Sequence, residues 1–122
     1  MKVIYESKYG NVIYYEDKNI VLVIWNSYCE LTDYRKILLN ALKVIKEHKC
    51  NYVVDTRCGF VDNPLDTLWV KDYFMVKTKE YGCKIIYFII DKDNSLKKEL
   101  EEQEKDSNKL LEFKYIYDLD EI

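Results

Sequence analysis

Hydrophobic positions along the chain fall into short alternating or continuous runs divided by polar turns, interrupted by longer stretches with helical spacing. Lys2 to Glu6 and Val12 to Glu16 read as two short strands joined by the turn Lys8-Tyr9-Gly10-Asn11. Asp17-Lys18-Asn19 makes a second tight turn. Ile20 to Trp25 then runs almost without a break in β-branched and apolar residues, the pattern of a strand buried on both faces. The three strands predict an antiparallel meander. Tyr5, Tyr14 and Tyr15 suit half-buried strand positions in it.

After the loop Asn26 to Leu31, Thr32 is a good N-cap candidate, with Asp33 in the favourable first turn. Tyr34, Ile37, Leu38, Ala41, Leu42 and Ile45 form one helical stripe, which predicts a helix ending near His48-Lys49. Tyr52 to Asp55 is a short strand. Pro64 fits a first helical position, with Asn63 or Asp62 as cap. The helix from there to about Glu80 carries Leu65, Leu68, Trp69 and Val76 on one stripe, with Val70 and Phe74 beside it. Asp72 falls within that stripe, and a charge turned inward needs a partner. Gly82 is the expected left-handed cap. Cys83 to Ile90 is the strongest strand, expected to be central and parallel. A polar turn, Asp91 to Ser95, leads to a thin helix from Leu96 to about Gln103. Phe113 to Tyr117 is a last strand, and Asp118 to Ile122 resembles the first turn of another helix.

The predicted order is β-β-β-α-β-α-β-α-β, with right-handed crossovers between the parallel strands. It describes a mixed sheet of the α/β class, an antiparallel N-terminal meander followed by parallel strands with helices packed on the sheet. At 122 residues, with neither repeat nor linker, the chain is expected to be one domain, 1–122.

Composition narrows the function classes. The net charge is -3, and the basic residues alternate with acids, so no electrostatic footprint for nucleic acid is expected. The longest apolar run, Ile85 to Ile90, is far short of the ~20 residues a membrane helix needs, and the first ten residues lack the pattern of a signal peptide. A cytoplasmic protein is the expectation. Cys29, Cys50, Cys58 and Cys83 are scattered, without a C-x-x-C pair, and predict reduced, mostly buried thiols and no metal site. His48 reads as a helix-end cation.

Candidate chemistry concentrates in Asn51 to Trp69, where the run Tyr52-Val53-Val54 ends on Asp55-Thr56-Arg57 and an irregular turn around Gly59 leads to Asp62-Asn63-Pro64. The carboxyl edge of a strand is where α/β sheets usually present a working surface. Asp55 and Arg57 read as an intramolecular pair fixing the loop, or as an anion holder in which Arg57 is assisted by the helix N-terminus after Asn63. Asp62 beside such an anion would weaken it. Trp25 and Trp69 read as core or loop-packing residues, or else as part of a pocket or interface. Cys58 lies on the same loop as Asp55 and Arg57, so a low-pKa thiol is conceivable, but the single His lies toward the opposite edge of the predicted sheet.

These features also carry a resemblance. Trp25 ends the third strand, Thr32-Asp33-Tyr34-Arg35 opens the first helix, and Asp55-Thr56-Arg57 ends the next strand. Pro64 with Asp66 and Trp69 opens the second helix, and Gly82-Cys83-Lys84 leads into the following strand. In order and spacing, from Val12 to Tyr117, the chain resembles the STAS-like superfamily of anti-sigma-factor antagonists, in particular its small stand-alone bacterial branch, SpoIIAA-like or STAS/SEC14. The resemblance implies a non-catalytic regulatory or protein-interaction module without a cofactor. In phosphorylatable relatives a strand-ending Asp is followed by an Asp-Ser pair capping the helix, and a partner kinase phosphorylates that Ser. Asp62-Asn63 occupies roughly that place here, so the phosphoserine switch is expected to be absent, with Thr56 or Thr67 able to replace it only in another geometry. In the family a closing helix follows the last strand. Asp118 to Ile122 stands in its place, which is expected to leave apolar surface that favours association with another chain, a homodimer included.

The leading expectation is therefore an interaction module with an unidentified protein partner, using Asp55, Arg57, Asp62, Asn63 and Trp69. The alternatives are a binder of a small amphipathic ligand, lipid or nucleotide, held between the second helix and the sheet, and a thiol-dependent enzyme at Cys58.

Overall fold

The computed structural model describes residues 1–58, 63–91 and 111–122. Strands β1 (Lys2–Glu6), β2 (Gly10–Tyr15) and β3 (Ile20–Trp25) pair antiparallel. Strands β4 (Asn51–Asp55), β5 (Ile85–Ile89) and β6 (Glu112–Ile116) continue parallel to β3. The six strands lie side by side in chain order, so the protein is an α/β domain on a mixed sheet. β5 is an interior parallel strand, as its apolar run predicts.

Local chemistry sets the turns of the meander. A Cβ at Gly10 would fall 2.7 Å from the Ile24 carbonyl oxygen across the β2–β3 pair, so only glycine lets the strands close there. Asn19 takes a left-handed conformation (φ 49°), and its side chain accepts a hydrogen bond from the Tyr14 hydroxyl at 2.8 Å.

Alternation along the strands sends Val21, Val23 and Trp25, Tyr52 and Val54, Ile86 and Phe88 to one face. Helix α1 (Thr32–His48) and the second helix cover that face and complete the main core. Ile20, Leu22, Val53, Ile89 and Ile116 form a smaller cluster on the other face. Leu119 and Ile122 pack against it, carried by a 3₁₀ turn (Leu119–Glu121) that Asp118 and Glu121 close as a capping box. The segment expected to leave apolar surface bare thus covers part of the outer face.

The second helix departs from its sequence pattern. It is α-helical over Pro64–Trp69 (α2), widens to a π turn over Val70–Phe74, and resumes as Met75–Glu80 (α3). Phe74, Met75 and Thr78 are buried, whereas Leu65, Leu68, Val76 and Asp72 face solvent. Of the expected core stripe Leu65, Leu68 and Val76 are exposed and Trp69 alone packs on the core, and Asp72 needs no buried partner. The reason is geometric: Asp66, bonded to α1, sets the inward face of α2 and turns Leu65 and Leu68 outward, and i→i+5 bonding then adds about one residue to the turn and re-phases every later side chain.

The start of α1 also differs. Thr32 is the first helical residue and not its cap; Leu31 precedes it with φ 53° and makes no side-chain capping bond. The C-terminus follows expectation, with Lys49 left-handed and its N–H donating to the Ile45 carbonyl at 2.7 Å. His48 is exposed there and stacks on Tyr14, ring centres 4.1 Å apart. Gly82 (φ +107°) terminates α3 as expected. The turn around Gly59, the residues after Asp91 and the helix expected over Leu96 to Gln103 lie outside the described residues.

The re-phased helix has a measurable consequence. Phe74→Ala should destabilise by ~3–5 kcal/mol in urea unfolding, and Leu68→Ala by under ~0.5 kcal/mol. The reverse order would restore the straight α-helical stripe.

Candidate functional site

β4 delivers Asp55 to the carboxyl edge of the sheet. Alternation puts it on the outer face with Val53, between Ile24 and Ile89 of the neighbouring strands. Arg57 folds back onto it: Nε donates to Oδ1 at 3.0 Å, Nη2 to Oδ2 at 2.7 Å, and the Arg57 backbone N–H to Oδ1 at 3.1 Å. This is a bidentate, charge-assisted pair. Its hydrogen bond to Asp55 holds the Arg57 pKa above the ordinary guanidinium value. The intramolecular reading of the pair is the one realised. Thr56 between them is buried, and its hydroxyl donates to the Ile89 carbonyl at 2.8 Å, an anchor for the strand end.

The residues from Asn63 onward serve the helical face. Asn63 caps α2, with Oδ1 accepting from the N–H groups of Leu65 (2.9 Å) and Asp66 (3.3 Å). Its Nδ2 donates to Glu30 Oε2 at 2.8 Å, and the Tyr28 hydroxyl donates to the same oxygen at 2.7 Å. These two bonds lower the Glu30 pKa, and the same bond from Tyr28 raises that of the phenol. Thr67, exposed, donates its hydroxyl to the Asn63 carbonyl at 3.1 Å. Among the described residues no hydrogen bond joins this group to Asp55 and Arg57. The stretch that reads as one site is thus two arrangements on opposite faces of the sheet. Asp62 lies outside the described residues.

Asp66 holds the helical arrangement together. Its carboxylate is fully buried, accepting from the Leu31 N–H at 2.8 Å and from Arg35 Nε at 3.1 Å. It sits at the third position of α2, where an acid commonly reaches back to the cap. Here it crosses to α1 instead and holds Leu31 in its positive-φ conformation, which a non-glycine residue adopts at ~1–3 kcal/mol. The Arg35 guanidinium lies over the Trp69 ring, 5.4 Å from its centre. Trp69 is half-buried and stacks toward Tyr73 and Phe74, while Trp25 is buried and stacked on Tyr34. Sequence reasoning placed Asp66 and Arg35 only within motifs and missed Glu30 and Tyr28. The available signal was an acid and a base, each in the first turn of its helix.

The space between the second helix and the sheet, lined by Trp25, Tyr34, Tyr52, Phe74 and Phe88, has a volume of about 30 Å³. That is room for about one water, far below the ~300 Å³ at which small-molecule sites begin. A lipid or nucleotide there would have to displace the helix. Cys29, Cys50 and Cys83 are buried free thiols, and burial raises their pKa to about 11, about 11 and about 12; Cys58 is exposed. Among the described residues no group of three His, Cys, Asp or Glu is placed to hold a metal, and no helix is long and apolar enough to cross a membrane. No family model, no curated protein and no solved structure matches the chain.

Asp66→Ala removes the acceptor of a buried N–H and of a guanidinium, and should destabilise by ~2–4 kcal/mol in urea unfolding. Arg57→Ala, which frees a half-exposed side chain, should lower stability by about 1 kcal/mol or less. Equal losses would remove Asp66 from its central place. The thiols set a pH dependence. They stay protonated in the folded protein, while the unfolded chain ionises them above pH ~8.5, so their contribution is constant below that pH and lost as pH rises toward 11 and beyond. Urea midpoints should therefore fall from about pH 9 upward, and at neutral pH iodoacetamide should label Cys58 alone. A Cys58 rate well above that of an unstructured cysteine would favour the thiol enzyme.

Proposed function

We propose that this protein is a non-catalytic interaction module of the STAS-like, SpoIIAA-like kind, recognising a protein partner through the surface of its second helix. The observation that carries the reading is the exposed apolar stripe on that helix. Leu65 is 60% exposed and Leu68 53%, and Tyr73 and Val76 extend the stripe along the rod. Tyr28 and Leu31 add exposed apolar surface at its N-terminal end, held there by the Glu30–Asn63 and Asp66–Leu31 hydrogen bonds. Large apolar side chains gathered on a rigid surface and rimmed by polar groups are what protein interfaces use. The antiparallel meander followed by parallel crossover strands, with α1 and the second helix on one face, accords with the family reading, as do the positions of Trp25, Asp55, Pro64 and Trp69.

On this reading the module works without a phosphoserine switch. Asn63 occupies the cap, where an amide can accept the helix N–H groups but takes no phosphate on oxygen. Thr56 is buried with its hydroxyl bonded, and the Thr67 hydroxyl is turned to the backbone of the cap.

Leu65→Ser with Leu68→Ser should leave the fold intact and abolish recovery of the partner in a pull-down, because both side chains face solvent. Arg57→Ala, on the other face of the sheet, should leave recovery unchanged. Undiminished recovery by the folded double variant would remove the helix surface from the reading.

A further inference from the structure

A second surface lies along the outward side of α1. A groove of about 790 Å³ runs between α1 and its neighbours, with Tyr5 of β1 on one flank and Tyr73 and Tyr81 of the second helix on the other. Its floor is apolar, formed by exposed Leu39 and buried Leu42. Four cations line it: Arg35 and Lys46 toward the second helix, Lys36 and Lys43 toward β1. Among the described residues no carboxylate contributes to the lining, in a chain whose net charge is -3.

Two of the lysines are held in place without being neutralised. Lys36 Nζ sits over the Tyr5 ring, 5.7 Å from its centre, and Lys46 Nζ over Tyr81 at 5.3 Å. Among the described residues none of Lys36, Lys43 and Lys46 has a carboxylate within ion-pair distance. Arg35 differs, since Asp66 holds its charge. The free positive charge of the groove is therefore that of three lysines along α1, two of them laid on tyrosine rings.

We propose that this groove docks an amphipathic helix of a protein partner, one with acidic residues flanking its apolar stripe. The shape fits such an occupant: Thr32 to Lys46 spans four turns, about 21 Å, with groove residues recurring every three or four positions. An apolar stripe would meet Leu39 and Leu42, and acids on its flanks would meet Lys36 and Lys43 on one side and Lys46 on the other. Charge complementarity of this kind sets partner choice and register between helices. A nucleic acid fits less well, because base stacking needs a free aromatic face and the lysines already cover those of Tyr5 and Tyr81. The groove adjoins the Leu65–Leu68 stripe at Tyr73 but uses neither leucine, and the inference stands without that reading.

The test is an NMR titration of the whole chain with a synthetic acidic amphipathic helix of about 18 residues, Leu on one stripe and Glu on both flanks. Saturable shifts confined to α1 and the neighbourhood of Tyr73 and Tyr81 are expected, with affinity falling as salt rises from about 50 to about 500 mM. Lys36→Glu with Lys43→Glu, both exposed and so compatible with the fold, should weaken binding about tenfold or more, and a peptide with Lys in place of Glu should recover it. Leu65→Ser with Leu68→Ser should bind the peptide normally, so that failure of the helix-stripe reading remains distinguishable. Absence of saturable shifts, equal affinity in the charge-reversed variant, or stronger response of the same residues to oligouridine or phosphatidylglycerol vesicles would overturn the proposal.

Discussion

One buried carboxylate holds the helical side of the molecule in register. Asp66 is fully buried, and a charge taken out of water is tolerable only with its bonds made. It takes them from α1, through the Leu31 N–H and Arg35, and so fixes where the second helix begins. Phe74 imposes a second demand, because it must enter the core between Tyr52 and Trp69. Eight residues of straight α-helix at ~100° per residue would leave the two side chains ~80° apart around the rod. The π turn takes up most of that difference, bringing Asp66, Val70 and Phe74 close to one line. The widened turn is what two incompatible burial demands on one helix produce. Burial of Asp66 leaves Leu65 and Leu68 facing outward, and the re-phasing after the π turn does the same for Val76.

This explains what could and could not be read from the sequence. Every strand was legible within a residue or two, since alternation and turn residues are local signals and each is satisfied locally, as at Gly10 and Asn19. So was α1, whose stripe keeps a single period throughout. The buried face of the second helix was not legible, because a period-3.6 pattern carries no mark of a π turn. Leu65, Leu68 and Val76 align with Trp69 on a straight helix, yet only Trp69 of the four packs on the core. The start of α1 failed for a related cause. Thr32 before an apolar run is a local capping signal, but Asp66, thirty-five positions from Leu31, supplies the constraint that sets where the helix begins.

The candidate site was legible in its residues and not in its arrangement. Asp55 and Arg57 are two positions apart where the strand gives way to a turn, close enough to predict their pairing, and they pair. Of the two caps that the proline suggests, Asn63 and Asp62, Asn63 is the one used. The separation of these residues onto two faces depends on β4 ending on the outer side while the next helix returns to the inner one. Parity along a five-residue strand settles that, yet it emerges only once Val53 is known to face outward. Glu30 and Tyr28 belong to the same class of omission, since their roles arise from a loop meeting a helix cap remote in sequence.

Arg35 marks the border between the two surfaces on the helical side. Its guanidinium is bound to Asp66, lies over Trp69 and lines the α1 groove. Because the buried carboxylate already claims that charge, Arg35 belongs to the frame, and the free charge of the groove is left to the lysines. The same segregation accounts for a positive face on a chain with an excess of acids. Lys36, Lys43 and Lys46 occupy the outward arc of α1, while Asp66 is turned inward and bonded to Arg35 and the Leu31 N–H. Net charge therefore says little about what such a molecule attracts; the sign a partner meets depends on which charges the frame has already consumed.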